Sequence, residues 1–259
     1  MTVMMALVPD TPLDDEQVGA FERDGFLRLQ RLIDTAEVDA MRPVFDRLFA
    51  GEVEIARSDR VALARASSET QTLSQVLNPD AYAPELRDSP AYRTAFAAAQ
   101  QLLGPETTHM GMHAILKPPS AGAETPWHQD EAYWDPQWDY RAVSVWVPLQ
   151  PATIENGCMH FVPGSHQLEV LDHRLAHDSA EALALTDDAV DAVVDPVACP
   201  VPAGGATIHA NRTVHYAGPN HTQEPRRALV FAFSAPATQR RVGRTFPWQP
   251  ERWYQEPTA

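Results

Sequence analysis

The sequence predicts a mainly β protein with helices in its N-terminal part. Up to residue 105, apolar residues recur at the spacing of amphipathic helices; after it come short segments rich in β-branched and aromatic residues. Clusters of glycine, proline, asparagine and serine separate these segments. Short strands joined by turns, with no helices between them, favour a barrel or a sandwich over a parallel sheet.

Three helices are predicted in the N-terminal part. Capping boxes begin the first two, at Asp14 and at Asp34, and each apolar stripe behind them ends at a glycine. The second helix contains Pro43, which predicts a kink or a restart of the helix at that point. The third helix is predicted over residues 91–103.

The later part of the chain is predicted to form strands. The acidic stretch 181–195 is interpreted as a surface insertion rather than a strand. The five predicted strands are Met110–Lys117, Ala142–Leu149, Met159–Val162, Ala206–Ala210 and Arg227–Ser234.

No flexible linker marks the change near residue 105, so we expect a single domain over residues 1–259. Its parts are a mainly helical segment (1–105), a β-barrel core (106–240) that carries an insertion (167–200), and a C-terminal tail (241–259).

Composition limits the partners that we expect. Apolar residues make up 44% of the chain, enough for a core, and 20 basic against 35 acidic residues give a net charge of −15. A chain this acidic is disfavoured as a binder of nucleic acid or of an anionic membrane. Two cysteines cannot make a disulfide framework, and no signal peptide or membrane span is evident, which predicts a cytoplasmic protein. Nothing in the sequence indicates an oligomeric state.

A histidine and an aspartate two residues apart form the most informative motif. In a strand, His128 and Asp130 would project from one face while Gln129 points to the other. With a second histidine, for which His215 is the best candidate, they would make the set of two histidines and one carboxylate that non-haem Fe(II) oxygenases use. A His-x-Asp motif alone arises often by chance, so the prediction needs support from elsewhere in the chain.

Arg226 gives part of that support. It precedes the last predicted strand and shares a strand face with Ala228, Val230 and Ala232, which are small. An arginine beside small residues can reach into a cavity and bind a carboxylate through two hydrogen bonds. A surface salt bridge is the alternative.

These motifs belong to an ordered series that extends over nearly the whole chain. The pieces are Phe21–Phe26, Lys117–Pro119, Trp127–Asp130, Trp146, Asn156–Cys158, Val162–His166 and His215–Arg226. The series resembles the phytanoyl-CoA dioxygenase-like (PhyH) family of Fe(II)/2-oxoglutarate-dependent dioxygenases. An ordered series is far more specific than any one of its motifs.

The resemblance implies a double-stranded β-helix barrel, of the jelly-roll or cupin-like kind, with N-terminal helices packed on it. It implies that His128, Asp130 and His215 bind Fe(II) and that Arg226 binds the distal carboxylate of 2-oxoglutarate. Reaction with O2 would then oxidise, and most simply hydroxylate, an unactivated C–H bond of a small-molecule metabolite, with release of succinate and CO2.

The same resemblance assigns His113, Trp146 and Lys117 to the cosubstrate pocket. Ordinary barrel packing is the alternative for His113 and Trp146. Relatives usually have a serine near the second histidine that touches the cosubstrate, whereas this chain has Ala217, so we expect that one contact to be absent.

Some interpretations stay open at this point. His209 falls on the strand before His215 and is either a core histidine or part of the pocket. Aromatic residues after the metal motif form either a packed loop or a wall over the substrate; they are Tyr133, Trp134, Trp138 and Tyr140. Two other classes of function are considered: a catalytically silent barrel that binds a ligand or regulates a partner, and a zinc hydrolase with the same triad.

Overall fold

Two antiparallel β-sheets form the centre of the protein. The structure, a computed structural model, describes residues 12–65, 72–120, 123–176, 182–191 and 193–249. One face of the larger sheet packs on the helices, and its other face packs on the smaller sheet. The prediction of a mainly β fold with N-terminal helices is confirmed.

The chain order of the elements gives four helices and fifteen strands within the described residues. The N-terminal elements are α1 (Asp15–Asp24), β1 (Phe26–Leu29), α2 (Thr35–Phe49), β2 (Arg60–Arg65), β3 (Thr72–Leu77), α3 (Pro90–Leu103) and β4 (Thr108–Lys117). The middle elements are β5 (Thr125–His128), β6 (Trp138–Asp139), β7 (Ala142–Pro148), β8 (Met159–Phe161), β9 (His173–Leu175), β10 (Leu183–Leu185) and α4 (Asp187–Val190). The C-terminal elements are β11 (Val197–Cys199), β12 (Ala206–Ala210), β13 (His215–Ala217), β14 (Arg226–Ser234) and β15 (Thr238–Gln239).

The two main sheets leave a cavity between them. The larger sheet has the order β1-β12-β7-β14-β4-β3-β2, and the smaller has the order β11-β8-β13-β5. Side chains alternate along β7: Val143 and Val145 join the core under the helices, while Ser144 and Trp146 line the cavity. The apolar residues predicted on one face of β7 therefore face the helices, and the residues predicted on its other face line the cavity.

The predicted helices form, with one difference. Asp14 caps α1 in a capping box, and Ser89 caps α3. Pro43 lies inside α2, which continues through it, so the predicted restart is wrong. The helix buries one apolar side chain per turn against the core, and this burial offsets the hydrogen bond that proline cannot make.

None of the described helices is long and apolar enough to cross a membrane.

The N-terminal part is less helical than predicted, because it also contributes β1, β2 and β3 to the larger sheet. Phe26 in β1 is the register partner of His209, and Leu77 in β3 is the partner of His113. β1 and β3 thus pair with strands that lie far away in the sequence, whereas β2 pairs with its neighbour β3. None of the three was predicted. The domain boundaries themselves stay a prediction.

The acidic stretch is also more than a surface insertion. Leu183–Leu185 forms β10, which pairs with β9 and is buried throughout, so the interpretation against a strand is wrong for these residues. Only the acidic part behaves as predicted, since Asp187 and Asp188 are exposed. Three residues are too few to show an alternating pattern, and the aspartates around them dominate the composition.

Candidate active site

Two histidines lie next to each other on two paired strands of the smaller sheet, one at the end of its strand and the other at the start. His128 is the last residue of β5 and His215 the first of β13; they are register partners, with ring centroids 4.1 Å apart. The Nδ1 atoms lie 2.8 Å from the carbonyl oxygens of Pro126 and Thr213, respectively. When Nδ1–H donates to these carbonyls, each Nε2 keeps the lone pair that a metal ion needs.

The aspartate comes from a turn. β5 ends at His128, and Asp130 begins the 3₁₀ turn Asp130–Tyr133, so the predicted shared strand face is wrong. The turn still carries the carboxylate to the histidines, because Asp130 Oδ1 lies 3.8 Å from His128 Nε2 and 3.6 Å from His215 Nε2. One ligand atom from each residue lies within 4.8 Å of the other two, close enough for a single ion to bind all three.

The charges of these three side chains suit a divalent cation. Burial lowers the pKa of His128 and holds the pKa of His215 well below its ordinary value, which keeps both rings neutral. Burial works against ionisation of Asp130, but His215, His209 and His128 outweigh it and hold the pKa of Asp130 well below its usual range. Two neutral imidazoles and one carboxylate are the donor set typical of non-haem Fe(II).

Gln129 fixes the start of the turn. Its side chain is buried, donates to the Arg212 carbonyl at 2.7 Å and accepts from the Leu171 N–H at 2.7 Å. Its backbone N–H donates to His173 Nε2 at 3.1 Å. These three bonds hold the residue between His128 and Asp130 and end the strand there.

Glu131 fixes the middle of the turn with a fully buried carboxylate. It accepts from Arg212 Nε at 2.8 Å and Arg212 Nη2 at 3.0 Å, and also from Arg244 Nη2 and Asn211 Nδ2. Removing one of these donors would leave the buried carboxylate with fewer partners, and removing both arginines would leave it without a compensating charge. The sequence offered no local signal for this cluster, because its members lie about 80 to 110 residues apart.

The C-terminal segment fixes the end of the turn. Trp248 Nε1 donates to the Ala132 carbonyl at 3.0 Å, and Gln249 Nε2 donates to the same oxygen at 2.7 Å. Gln249 also donates to the Trp134 carbonyl at 2.9 Å. Part of the predicted tail therefore supports the turn that carries Asp130.

Arg226 has the surroundings of an anion site. It is 1% exposed, and neither its Nε nor its Nη1 finds a hydrogen-bond partner among the described residues. Its guanidinium carbon lies 5.4 Å from the centre of the Trp146 ring, and burial lowers the pKa of Arg226 to about 10. Buried guanidinium donors without partners fit a ligand carboxylate, such as the distal one of 2-oxoglutarate.

The structure places His113 and Trp146 in the cavity lining, together with the triad and Arg226. His113 Nδ1 lies 3.0 Å from Gln75 Nε2, and burial lowers the pKa of His113. Gln75 was missed from the sequence, because it lies on β3, one of the strands that were not predicted.

Lys117 has a different environment from the one expected. It is fully buried, and its Nζ donates to the Ala217 carbonyl at 2.8 Å and to the Gly218 carbonyl. Burial holds its pKa well below the ordinary value. Lys117 is absent from the described cavity lining, so its contacts tie β4 to the end of β13 rather than reach a ligand.

Two further polar residues contact Asp130. Ser144 Oγ donates to Asp130 Oδ2 at 2.9 Å, and His209 Nε2 lies 3.3 Å from the same oxygen. His209 thus belongs to the cavity rather than to the core alone. Ser144 was not assigned a role, although strand alternation already placed it on the same face as Trp146.

The cavity has a volume of about 580 Å³. Among its described lining residues, Asp130 and Arg226 are the only acidic and basic side chains besides the histidines. Of the aromatic residues after the metal motif, Tyr133 and Trp134 line the cavity, whereas Trp138 and Tyr140 do not. The aromatic-wall interpretation therefore fits half of that cluster.

Comparisons with known proteins agree with this geometry. The "probable alpha-ketoglutarate-dependent hypophosphite dioxygenase" of Stutzerimonas stutzeri is 26% identical over 225 residues, which cover 85% of this chain and 78% of that protein. The crystal structure of EvdO2 from Micromonospora carbonacea var. aurantiaca, complexed with 2-oxoglutarate, is 37% identical with a TM-score of 0.79, covering 95% of this chain and 100% of that one. The epimerase SnoN, crystallised with Fe3+, alpha-ketoglutarate and nogalamycin RO, is 26% identical with a TM-score of 0.67, covering 94% and 90%.

These likenesses confirm the double-stranded β-helix. The chain spans about half the length of several other curated relatives. The family model described as "Phytanoyl-CoA dioxygenase (PhyH)" matches residues 21–228. The chain therefore belongs to the phytanoyl-CoA dioxygenase (PhyH) family.

Proposed function

We propose that this protein is an Fe(II)- and 2-oxoglutarate-dependent oxygenase that hydroxylates an unactivated C–H bond of a small, uncharged metabolite. One observation carries the proposal: a three-ligand metal set and a buried arginine with unpaired donors line the same cavity. A metal site alone would suit many reactions. The additional cationic group is what a dicarboxylate cosubstrate requires.

The chain's residues have separate tasks in this proposal. His128, Asp130 and His215 hold Fe(II), and Arg226 orients 2-oxoglutarate through its distal carboxylate. Bound together with O2, these groups supply an oxidant strong enough for a C–H bond, with succinate and CO2 as co-products. The protein aligns the substrate's C–H bond near the metal and keeps other reductants out of the cavity.

The lining of the cavity supports an uncharged substrate. Once iron and 2-oxoglutarate neutralise Asp130 and Arg226, the rest of the described lining offers amides, hydroxyls, histidines and apolar groups. Gln75 and Asn78 can hydrogen-bond a substrate, while Tyr133 and Trp134 offer aromatic faces. The phosphates of an acyl-CoA would find no further cation in this lining, so we disfavour that substrate despite the family's name.

The two other classes of function are weaker for a structural reason. A zinc hydrolase does not require a buried guanidinium beside the metal site. A silent barrel that bound no anionic ligand would keep Nε and Nη1 of the buried Arg226 without partners among the described residues, which lowers the stability of the fold. Other outcomes of the same chemistry stay open to test, because the related SnoN is an epimerase.

Anaerobic titration of the purified protein with Fe(II) and then 2-oxoglutarate tests the proposal. We expect the visible charge-transfer band of a 2-oxo acid chelated to ferrous iron, weakened in Asp130→Ala and Arg226→Ala. Arg227→Ala is the matched control, because Arg227 pairs with Asp46 outside the cavity and its loss should leave the band unchanged. Bound iron without a band would favour a non-oxygenase metal site, and absence of metal binding would favour the silent barrel.

A substrate screen then identifies the reaction. Succinate release that depends on a candidate compound shows coupled turnover. Incorporation of one ¹⁸O atom from ¹⁸O2 into the product formed from the candidate compound supports hydroxylation. A product with the same mass as the candidate compound would point to epimerisation instead.

A further inference from the structure

The two oxygens of the Asp130 carboxylate have different neighbours. Oδ1 faces the histidines, at 3.6 Å from His215 Nε2 and 3.8 Å from His128 Nε2. Oδ2 faces the larger sheet, where it accepts the Ser144 hydroxyl at 2.9 Å and lies 3.3 Å from His209 Nε2. The carboxylate thus bridges the metal site and a pair of polar side chains behind it.

Ser144 and His209 are built into the sheet as a pair. They are register partners on β7 and β12, so the backbone ladder fixes their separation. The His209 ring is 2% exposed and packs between Phe161, at 5.2 Å, and His215, at 4.4 Å between centroids. Neither of its nitrogens has a hydrogen-bond partner within the described parts of the chain, and its Nε2 lies 3.3 Å from Asp130 Oδ2.

The contact with Asp130 favours one placement of the proton on the His209 ring. A bare Nε2 facing Oδ2 would set two lone pairs against each other, whereas Nε2–H directs a donor at a carboxylate. With its proton on Nε2, the ring presents an N–H group toward Oδ2 at 3.3 Å, beside the Ser144 hydroxyl.

We infer that Ser144 and His209 hold Oδ2 so that Asp130 binds iron through Oδ1 alone. The inference rests on the proposed function. If Oδ2 turned toward the metal, the buried Ser144 hydroxyl would lose its acceptor, and the carboxylate oxygen that lies 3.3 Å from His209 Nε2 would move away from that ring. Both groups are positioning residues, because they act on the metal through Asp130.

One-oxygen binding matters for the number of open metal positions. Two imidazoles and one carboxylate oxygen would take three positions of a six-coordinate Fe(II) ion. Three positions would then be free for a chelating 2-oxo acid and O2 together. A carboxylate bound through both oxygens would occupy one of those three and leave too few.

The test compares four variants loaded with Co(II) as an oxygen-stable substitute for Fe(II). Ser144→Ala/His209→Phe removes both donors and keeps the ring volume, and Ser144→Ala alone makes the smallest structural change. Ser144→Thr keeps the hydroxyl and should restore wild-type behaviour. Thr207→Val is the matched control: Thr207 lies two residues before His209 on β12, is fully buried and has a hydroxyl without a partner in the described structure.

Two readouts do not depend on turnover. Calorimetric titration gives the Co(II) affinity, and infrared difference spectra of loaded minus free protein give the separation between the two stretching bands of the metal-bound carboxylate. We expect the double variant to bind Co(II) at least tenfold more weakly and to show a narrower separation, as for two-oxygen binding. Ser144→Ala should show the same changes to a smaller degree, and circular dichroism checks that each variant is folded.

The outcomes distinguish this inference from the proposed function. A folded double variant with wild-type affinity and wild-type band separation would overturn the inference alone. So would Thr207→Val if it weakened binding as much as Ser144→Ala. A wild-type protein that binds neither Co(II) nor Fe(II) would overturn the proposed function, and the inference with it.

Discussion

The two kinds of support for the metal ligands differ in how they are built. His128 and His215 stand on paired strands, where backbone hydrogen bonds set their separation and backbone carbonyls orient their rings. Asp130 stands on a short turn held by the side chains of Gln129 and Glu131 and by distant parts of the chain. Single substitutions cannot remove a backbone ladder, but they can remove the supports of a turn.

This difference shows where the site is vulnerable. The turn is held by buried charged and polar side chains, each of which needs hydrogen-bond or ion-pair partners. Removing one of these side chains leaves its partner buried with a bond missing. The strand pair depends on geometry that most side-chain changes leave intact. We therefore expect variants around the turn to change metal affinity, and variants around the strands to change mainly stability.

The largest effect is expected for Glu131→Ala. It leaves Arg212 and Arg244 without their buried carboxylate, and breaking a buried ion pair in this way costs about 3–5 kcal/mol. Urea denaturation should show the loss in the free energy of unfolding, and metal titration should show weakened binding through Asp130.

Glu169→Ala is the control for that variant. Glu169 also pairs with Arg212 and Arg244, but its side chain is 65% exposed, so its loss should cost less than about 1 kcal/mol. If both variants lost equal stability and kept full metal affinity, the clamping role of Glu131 would be wrong.

The second effect concerns pH and His173, whose Nε2 accepts the Gln129 N–H. Burial lowers the pKa of His173 to about 4, below its usual value of about 6.5. The unfolded chain therefore binds the proton first, and the stabilisation present above about pH 6.5 is lost as the pH falls toward 4. The difference between a pKa of about 6.5 in the unfolded chain and about 4 in the folded one limits this loss of unfolding free energy to on the order of 3 kcal/mol.

Melting temperatures of the metal-free protein between pH 7 and pH 4 measure this loss. His173→Gln should weaken the pH dependence, because glutamine does not titrate. His221→Gln, on an exposed histidine, is the control and should follow the wild type. Identical pH profiles for all three proteins would exclude His173 as a source of the acid sensitivity.

The same contrast explains what could be predicted from the sequence. The part of the site that lies on strands could be predicted. Periodicity placed β7, β12 and β14 within one residue of their observed limits, and it placed Ser144 and Trp146 on a common face. The ordered motifs identified the family and, through it, Arg226 and the second histidine. Local pattern and motif order both survive in a single sequence.

The part of the site that lies on the turn could not be predicted from the sequence. His128 and Asp130 were expected on one strand face, and only the bonds of Gln129 to distant residues show why the strand stops. The role of Arg244 and Gln249 in the tail likewise depends on contacts across more than 100 residues. A single sequence contains no signal for such pairings, because side chains that meet only in the fold share no local spacing.

The third prediction tests the strand side through Lys117, the one lysine of the chain. Lys117→Met leaves the carbonyls of Ala217 and Gly218 without their donor and should cost about 1–3 kcal/mol in unfolding free energy. The affinities for metal and 2-oxoglutarate should stay at wild-type values, because the pairing of β13 with β5 and β8 remains. A large loss of 2-oxoglutarate affinity in a stable variant would instead return Lys117 to the cosubstrate site.

The smallest effect is expected for Trp248→Phe, which removes one hydrogen bond to the turn and keeps most of the ring packing on His173 and Phe246. A single hydrogen bond contributes about 0.5–1.5 kcal/mol, and the lower end applies because Gln249 still donates to the same Ala132 oxygen. Trp138→Phe, on the exposed β6, is the control and should cost still less.

Gln249→Ala combined with Trp248→Phe then decides whether the C-terminal segment supports the turn or merely covers it. The double variant leaves the Ala132 carbonyl without either donor, so its loss of stability should exceed the sum of the two single losses. Metal affinity should fall with it, since the turn that carries Asp130 loses the hydrogen bonds that hold its C-terminal end. Additive losses with unchanged metal affinity would make the segment a cover only, and the turn would then depend on Gln129 and Glu131 alone.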